Sequence, residues 1–170
     1  AEPAAIVAPG SFAEQSLSGV SMIVWQAPIP ADTARLESFV DEGGALIFFP
    51  PGGTNESSFR GNSWGGVADA PEGKVHKVGN WNERDGPWSR TEEGLSLPVN
   101  LLEVRRRQSL ETSDTVLASF DDETPLLTRG RHGKGSYFFC TTSPEQDWSL
   151  LAEGGVLVPM LQRLLSLGEQ

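Results

Sequence analysis

Ser21-Met22-Ile23-Val24-Trp25-Gln26 and Ala45-Leu46-Ile47-Phe48-Phe49, with the segment 30–42 between them, decide the fold. Both are near-continuous apolar runs, the pattern of a strand buried on both faces. Pro28 and Pro30 close the first run. Pro30 opens a helix at its first position, and Asp32 sits favourably near the positive N-terminus. Leu36, Phe39 and Val40 form the i, i+3, i+4 stripe of that helix, and Gly43-Gly44 stops it, the first glycine taking the left-handed cap. Strand, helix and strand within about 30 residues make a βαβ unit, which predicts parallel strands and a right-handed crossover.

Outward from this unit the signals are shorter. Ala5-Ile6-Val7-Ala8 reads as an edge strand ending at Pro9-Gly10. The stretch 54–100 reads as a loop-rich excursion over the strand ends, with a short strand at 74–78 and one short helix. Leu101–Arg105 and Thr115–Phe120 read as strands, with Asp121-Asp122-Glu123 as a turn after the second. Pro125–Arg129 and Gly135–Cys140 are strands joined by the hairpin signal Gly130-Arg131-His132-Gly133-Lys134. Ser143-Pro144-Glu145-Gln146 has the form of a capping box opening a helix. A last helix is expected near Val156–Leu167, with Leu157, Met160, Leu161, Leu164 and Leu165 on one face.

Composition removes several functions. The chain has 170 residues and a net charge of −10, from 13 Lys+Arg against 23 Asp+Glu, and that acidity argues against a nucleic-acid groove or an anionic membrane surface. One Cys excludes an internal disulfide and a Cys-based zinc site, and two distant His leave little for a His-rich metal site. No cofactor and no metal is expected. No apolar stretch reaches the roughly 18 residues that span a bilayer. Ala1-Glu2-Pro3-Ala4-Ala5 lacks the basic region of a signal peptide, so the chain is expected to begin inside a longer protein. The length suits a single α/β domain over 1–170.

The order of elements resembles a known family. Phe39-Val40-Asp41-Glu42-Gly43-Gly44 followed by Ala45-Leu46-Ile47-Phe48-Phe49-Pro50 is similar to the central unit of class I glutamine-amidotransferase-like domains. Asp121-Asp122-Glu123-Thr124-Pro125-Leu126-Leu127, Gly133-Lys134-Gly135-Ser136-Tyr137, Thr141-Thr142-Ser143-Pro144-Glu145-Gln146-Asp147-Trp148-Ser149-Leu150 and Val158-Pro159 resemble that module in BatA-like, aerotolerance-regulator-related bacterial membrane proteins. The resemblance covers about 20–49 and 116–165. It implies a flavodoxin-like three-layer sandwich with a mostly parallel central sheet, lacking part of its N-terminal half. It also implies an extracytoplasmic, periplasmic position in a membrane-anchored parent. The partners implied are other domains of that parent or subunits of a membrane complex, with the membrane met only through segments outside this chain.

Catalytic members of that family place a Cys nucleophile on the turn after the central strand, served by a His near the C-terminus. The nucleophile needs an imidazole to make it a thiolate and backbone N–H groups to hold the oxyanion. Here that turn is Phe49-Pro50-Pro51-Gly52-Gly53, without Cys or Ser, and its two prolines carry no backbone donor. No His follows Cys140. The resemblance therefore implies a pseudoenzyme without catalytic residues.

The other candidates divide between bland and sharp readings. Cys140 reads as a small buried hydrophobe, against a thiolate paired with His132 or His76. Gly130-Arg131-His132-Gly133-Lys134-Gly135 reads as a solvated turn, against a phosphate cradle. Asp121-Asp122-Glu123 is an acidic turn, against a weak cation site. Arg105-Arg106-Arg107 guards a strand edge, against an ion-paired contact with another domain. Three of the five Trp lie in the excursion: Trp64, Trp81 and Trp88, joined by Asn82 and Arg84 as a candidate ligand or partner surface. The alternative there is a loop stapled by its own rings. Three functions are carried forward: a non-catalytic interaction or scaffold domain, a small-molecule or carbohydrate-binding domain built on the Trp-rich loop, and a hydrolase with an unrecognised site.

Overall fold

In the computed structural model, which describes residues 5–153 and 155–169, the strands β1 (Met22–Trp25) and β2 (Ala45–Phe48) pair in parallel, Met22 opposite Ala45 and Trp25 opposite Phe48. The connecting helix α1 runs over Ala34–Asp41 and buries Leu36, Phe39 and Val40. It starts four residues after Pro30. Asp32 marks the entry, its Oδ1 accepting from the Ala34 N–H at 3.0 Å. Gly43 takes φ +113°, a conformation that costs a side-chain-bearing residue. The parallel βαβ pairing holds, with two amendments: the helix opens at Ala34 behind Thr33 and not at Pro30, and the first strand is less covered than expected. β1 lies at the edge of its sheet and leaves Val24 45% exposed, so it is not buried on both faces.

The remaining strands are β3 (Ser58–Phe59), β4 (Asn62–Asp69), β5 (Val78–Trp81), β6 (Arg106–Glu111), β7 (Thr115–Phe120), β8 (Pro125–His132) and β9 (Gly135–Cys140). The helix α2 (Leu157–Gly168) closes the series. The larger sheet has the order β1-β2-β9-β8-β7-β5, and a smaller one has β3-β4-β6. Only the β1–β2 and β2–β9 pairings are parallel; β9–β8, β8–β7 and β7–β5 are antiparallel. The expectation of a mostly parallel, flavodoxin-like sheet is therefore wrong. Hairpins rather than helical crossovers build its second half, because β7, β8 and β9 are joined by short turns that only antiparallel neighbours can use.

Alternation along β2 and β9 gives the larger sheet a core on each face. Leu46, Phe48, Tyr137 and Phe139 meet α1 and the smaller sheet through Phe59 and Trp64. Phe48 and Phe139 stack with centroids 4.4 Å apart. On the other face Ile47, Phe138 and Leu127 meet Met160 and Leu164 of α2. Burying each such side chain stabilises by about 1.5–3 kcal/mol.

Several short segments differ from expectation. Ala5–Ala8 forms no strand. The stretch 54–100 contains β3, β4 and β5, and its helical element is a single 3-10 turn at Val99–Leu101. Leu101–Arg105 offers only isolated bridges from Val104, to His76 and to Ser149, and the strand starts at Arg106 instead. The capping box opens no helix. Ser143 Oγ does accept from the Glu145 N–H at 3.2 Å, but Gln146 turns away to Glu153 at 3.3 Å.

Candidate functional site

Arg129 and Arg131 stand two residues apart on β8, so their side chains share a face. Across the ladder Arg129 is opposite Phe138, and Arg131 is opposite Ser136. These four positions floor a cleft of about 560 Å³. Pro159, Gln162, Arg163, Ser166 and Leu167 of α2 form one wall, and Asp85, Gly86, Pro87 and Ser89 form the other. Its lining includes three guanidinium groups and one carboxylate.

The loop wall is fixed from two sides. Asp85 Oδ2 accepts from Arg129 Nη2 at 2.9 Å. That hydrogen bond holds the Asp85 carboxyl below its ordinary range, so it stays ionised at neutral pH. Arg163 Nη1 donates to the carbonyl oxygens of Pro87 at 2.9 Å and Ser89 at 2.6 Å. Gly86 has φ +90°, and a Cβ there would come within 2.7 Å of Leu117 Cδ1. The turn therefore requires glycine on two counts. Asn82 shapes its start, with Oδ1 accepting from the N–H groups of Arg84 and Asp85 at 2.9 and 3.0 Å. Glu83 accepts from Ser96 and Arg90, which lowers its pKa.

The five residues proposed from sequence do not converge. Trp64 is buried against Phe139 on the α1 side of the larger sheet. Trp88 is buried and Trp81 half-buried on the α2 side. Asn82 and Arg84 are exposed, and the Asn82 side chain serves the local turn. Of the cleft arginines, Arg129 and Arg163 were missed, and Arg131 was weighed only within the phosphate-cradle reading of 130–135. The available signal was Arg129 and Arg131 at strand spacing in an acidic chain, which the hairpin reading absorbed.

The other motifs have local roles. Cys140 is fully buried, and burial pushes its thiol up to about 12, which removes it as a nucleophile. His76 Nε2 lies 3.2 Å from the Ala68 carbonyl oxygen. Arg107 pairs with Asp122 at 2.6 Å and stacks over Phe120, while Arg106 pairs with Asp69 at 2.6 Å. The hairpin turns at the exposed pair Gly133-Lys134, with His132 opposite Gly135, Gly133 at φ +59° and the Lys134 N–H donating to the Asp41 carbonyl oxygen, while Gly130 and Gly135 are buried. Among the described residues no group of three or more His, Cys, Asp or Glu is placed to hold a metal, and no helix is long and apolar enough to cross a membrane.

The turn after β2 is occupied in a way that sequence did not reveal. Gln108 is buried on β6, where Oε1 accepts from the Gly52 N–H at 3.0 Å and Nε2 donates to the oxygens of Gly53 and Gly65 at 3.0 and 2.9 Å. A side chain of the smaller sheet thus stitches this turn to β4.

Solved β-galactosidases share this fold. The enzyme from Bacillus circulans sp. alkalophilus superposes with TM-score 0.60 and 18% identity, over 88% of this chain and 23% of that one. The cold-adapted enzyme from Rahnella sp. R3 gives 0.61 and 15%, over 89% and 24%. The enzyme of the Antarctic haloarchaeon Halorubrum lacusprofundi gives 0.57 and 19%, over 91% and 23%. The chain spans about a quarter of the length of these proteins. No protein-family profile matches the sequence, and no curated protein matches it.

These likenesses correct the amidotransferase and BatA-like assignment. The motifs behind it are short strand ends and turns, which mark a βαβ unit followed by hairpins and do not single out one family. The scaffold reading, the label of pseudoenzyme and the expectation of no enzyme activity fall with it. All three measured the chain against a thiol mechanism. Glycoside hydrolysis uses carboxyl groups, so an elbow without cysteine says nothing about it.

Proposed function

We propose that the chain is a domain of a glycoside hydrolase acting on β-galactosides, and that the cleft between α2, β8 and the Asp85–Ser89 loop is where it meets sugar. The supporting observation is the superposition of about nine-tenths of the chain on three β-galactosidases. The lining suits the task. Asp85, Ser136, Gln162 and Ser166 offer carboxylate, hydroxyl and amide partners for sugar hydroxyls, and Pro87, Pro159 and Leu167 offer apolar contact.

Glycosidic bond cleavage usually needs two carboxyl groups, about 5–5.5 Å apart for retention or 6.5–9.5 Å for inversion. The cleft is lined by one, Asp85, and Arg129 keeps it ionised. Asp85 therefore binds and orients hydroxyls. Paired with Arg129 it is poorly suited to donate a proton, and with one carboxyl in the cleft an acid–nucleophile pair would need another from outside it.

The test has two parts. The protein carrying this chain is assayed with p-nitrophenyl β-galactoside, and turnover is expected. The chain is titrated with galactose and lactose while the arginine Nε–H resonances are followed by NMR. Shifts at Arg129 and Arg163 in the native chain, with the Arg163 shift lost in Arg129→Leu, support the reading; no turnover and no shift overturn it.

A further inference from the structure

Charge in the cleft points to a narrower class of ligand. Arg129 is neutralised by Asp85 at 2.9 Å. Arg163 is held through Nη1 by the carbonyl oxygens of Pro87 and Ser89, which engage that nitrogen and leave its charge uncompensated. Arg131 is exposed; among the described residues it makes no direct hydrogen bond or ion pair, and its charge acts on Asp85 only at longer range than that of Arg129. The lining thus carries two net positive charges inside a chain of net charge −10. A concave, partly desolvated wall strengthens such a local field. A planar guanidinium with free donors matches an oxyacid anion through paired hydrogen bonds.

Resting on the carbohydrate reading above, we propose that this cleft selects an anionic sugar, one carrying a carboxylate or sulfate ester, with the acidic group on Arg131 and the hydroxyls toward Asp85 and Gln162. A neutral sugar uses only the hydroxyl partners and leaves the Arg131 guanidinium to water. A free inorganic anion meets the charge but fills little of the 560 Å³.

The experiment titrates the chain at low salt with galactose, galacturonate, galactose 6-sulfate and inorganic sulfate, by calorimetry and by arginine NMR. The expected result is that at least one acidic sugar binds roughly tenfold more tightly than galactose, with the advantage shrinking as salt rises. Inorganic sulfate is expected to be weaker than the preferred acidic sugar. Arg131→Gln should abolish the advantage, and Arg131→Lys should restore part of it; an unchanged melting temperature shows that both variants fold. Equal binding of galactose and the acidic sugars overturns the charge selection and leaves the carbohydrate reading standing. Inorganic sulfate as tight as the acidic sugars, with galactose unbound, overturns sugar recognition at this cleft in favour of a plain anion site. Binding of none of the four overturns both readings.

Discussion

Arg163 on α2 donates to the carbonyl oxygen of Ser89 at 2.6 Å. This hydrogen bond, with its companion to Pro87, is how the last helix holds the 85–90 loop against β8. The cleft exists because a helix side chain replaces the backbone partners that the loop lacks. In Arg163→Ala two carbonyls lose a charged donor, and the expected cost is about 1.5–3 kcal/mol. Chemical denaturation measures it. Limited proteolysis should show faster cleavage between 82 and 97 in the variant, and an unchanged cleavage pattern would count against the clasp.

Acid should weaken the fold through its paired carboxylates. Asp122, hydrogen-bonded by Arg107 and Thr124, is lowered well below the usual range, and Asp85 and Glu83 are lowered by Arg129 and by Ser96 with Arg90. A lowered folded-state pKa gives stability that is fully present above the unfolded value, about 4, and is lost as pH falls through the folded value. The melting temperature is therefore expected to be flat near neutrality and to drop below about pH 4. Asp122→Asn should flatten that drop; an identical pH profile would exclude the pair as a contributor.

Glycines 130 and 135 admit atoms that a methyl group would strike. A Cβ on Gly130 would lie 2.0 Å from Tyr137 Cζ, and one on Gly135 would lie 2.3 Å from the Val40 carbonyl oxygen. The first clash is with a ring whose OH is tied to Asp114 at 2.9 Å, so the ring cannot swing away freely. Gly130→Ala and Gly135→Ala are each expected to cost about 1–3 kcal/mol by thermal or urea unfolding.

Trp64 and Trp88 act in the cores. Truncating either to Ala should destabilise by about 3–5 kcal/mol, the range for large buried aromatics. Galactose affinity, measured where the variant remains folded, should be unchanged in Trp64→Ala, since Trp64 lies on the face opposite the cleft.

The thiol of Cys140 should be silent in the native state. It is fully buried and held up to about 12 by desolvation. A thiol-specific chromogenic reagent is expected to label it only after denaturant is added, and rapid native labelling would contradict the burial.

The sequence alone determined the local elements whose signals are continuous. The β1–α1–β2 unit was legible because two apolar runs, an i, i+3, i+4 stripe and a Gly-Gly stop all agree within one segment. The β8–β9 hairpin was legible for the same reason, its turn glycines lying between two strand patterns. What failed was everything set by partners distant in the chain. Strand order cannot be read from a strand; the mostly parallel sheet rested on the family resemblance, and only the folded chain shows β9 parallel to β2 and the β8, β7 and β5 pairings antiparallel. Gln108 gave no signal because its three hydrogen bonds are to backbone atoms at Gly52, Gly53 and Gly65. The cleft was invisible for the same physical reason. Asp85, Arg129 and Arg163 belong to a loop, a strand and a helix, and only folding brings this carboxylate and these two guanidinium groups around a common cleft.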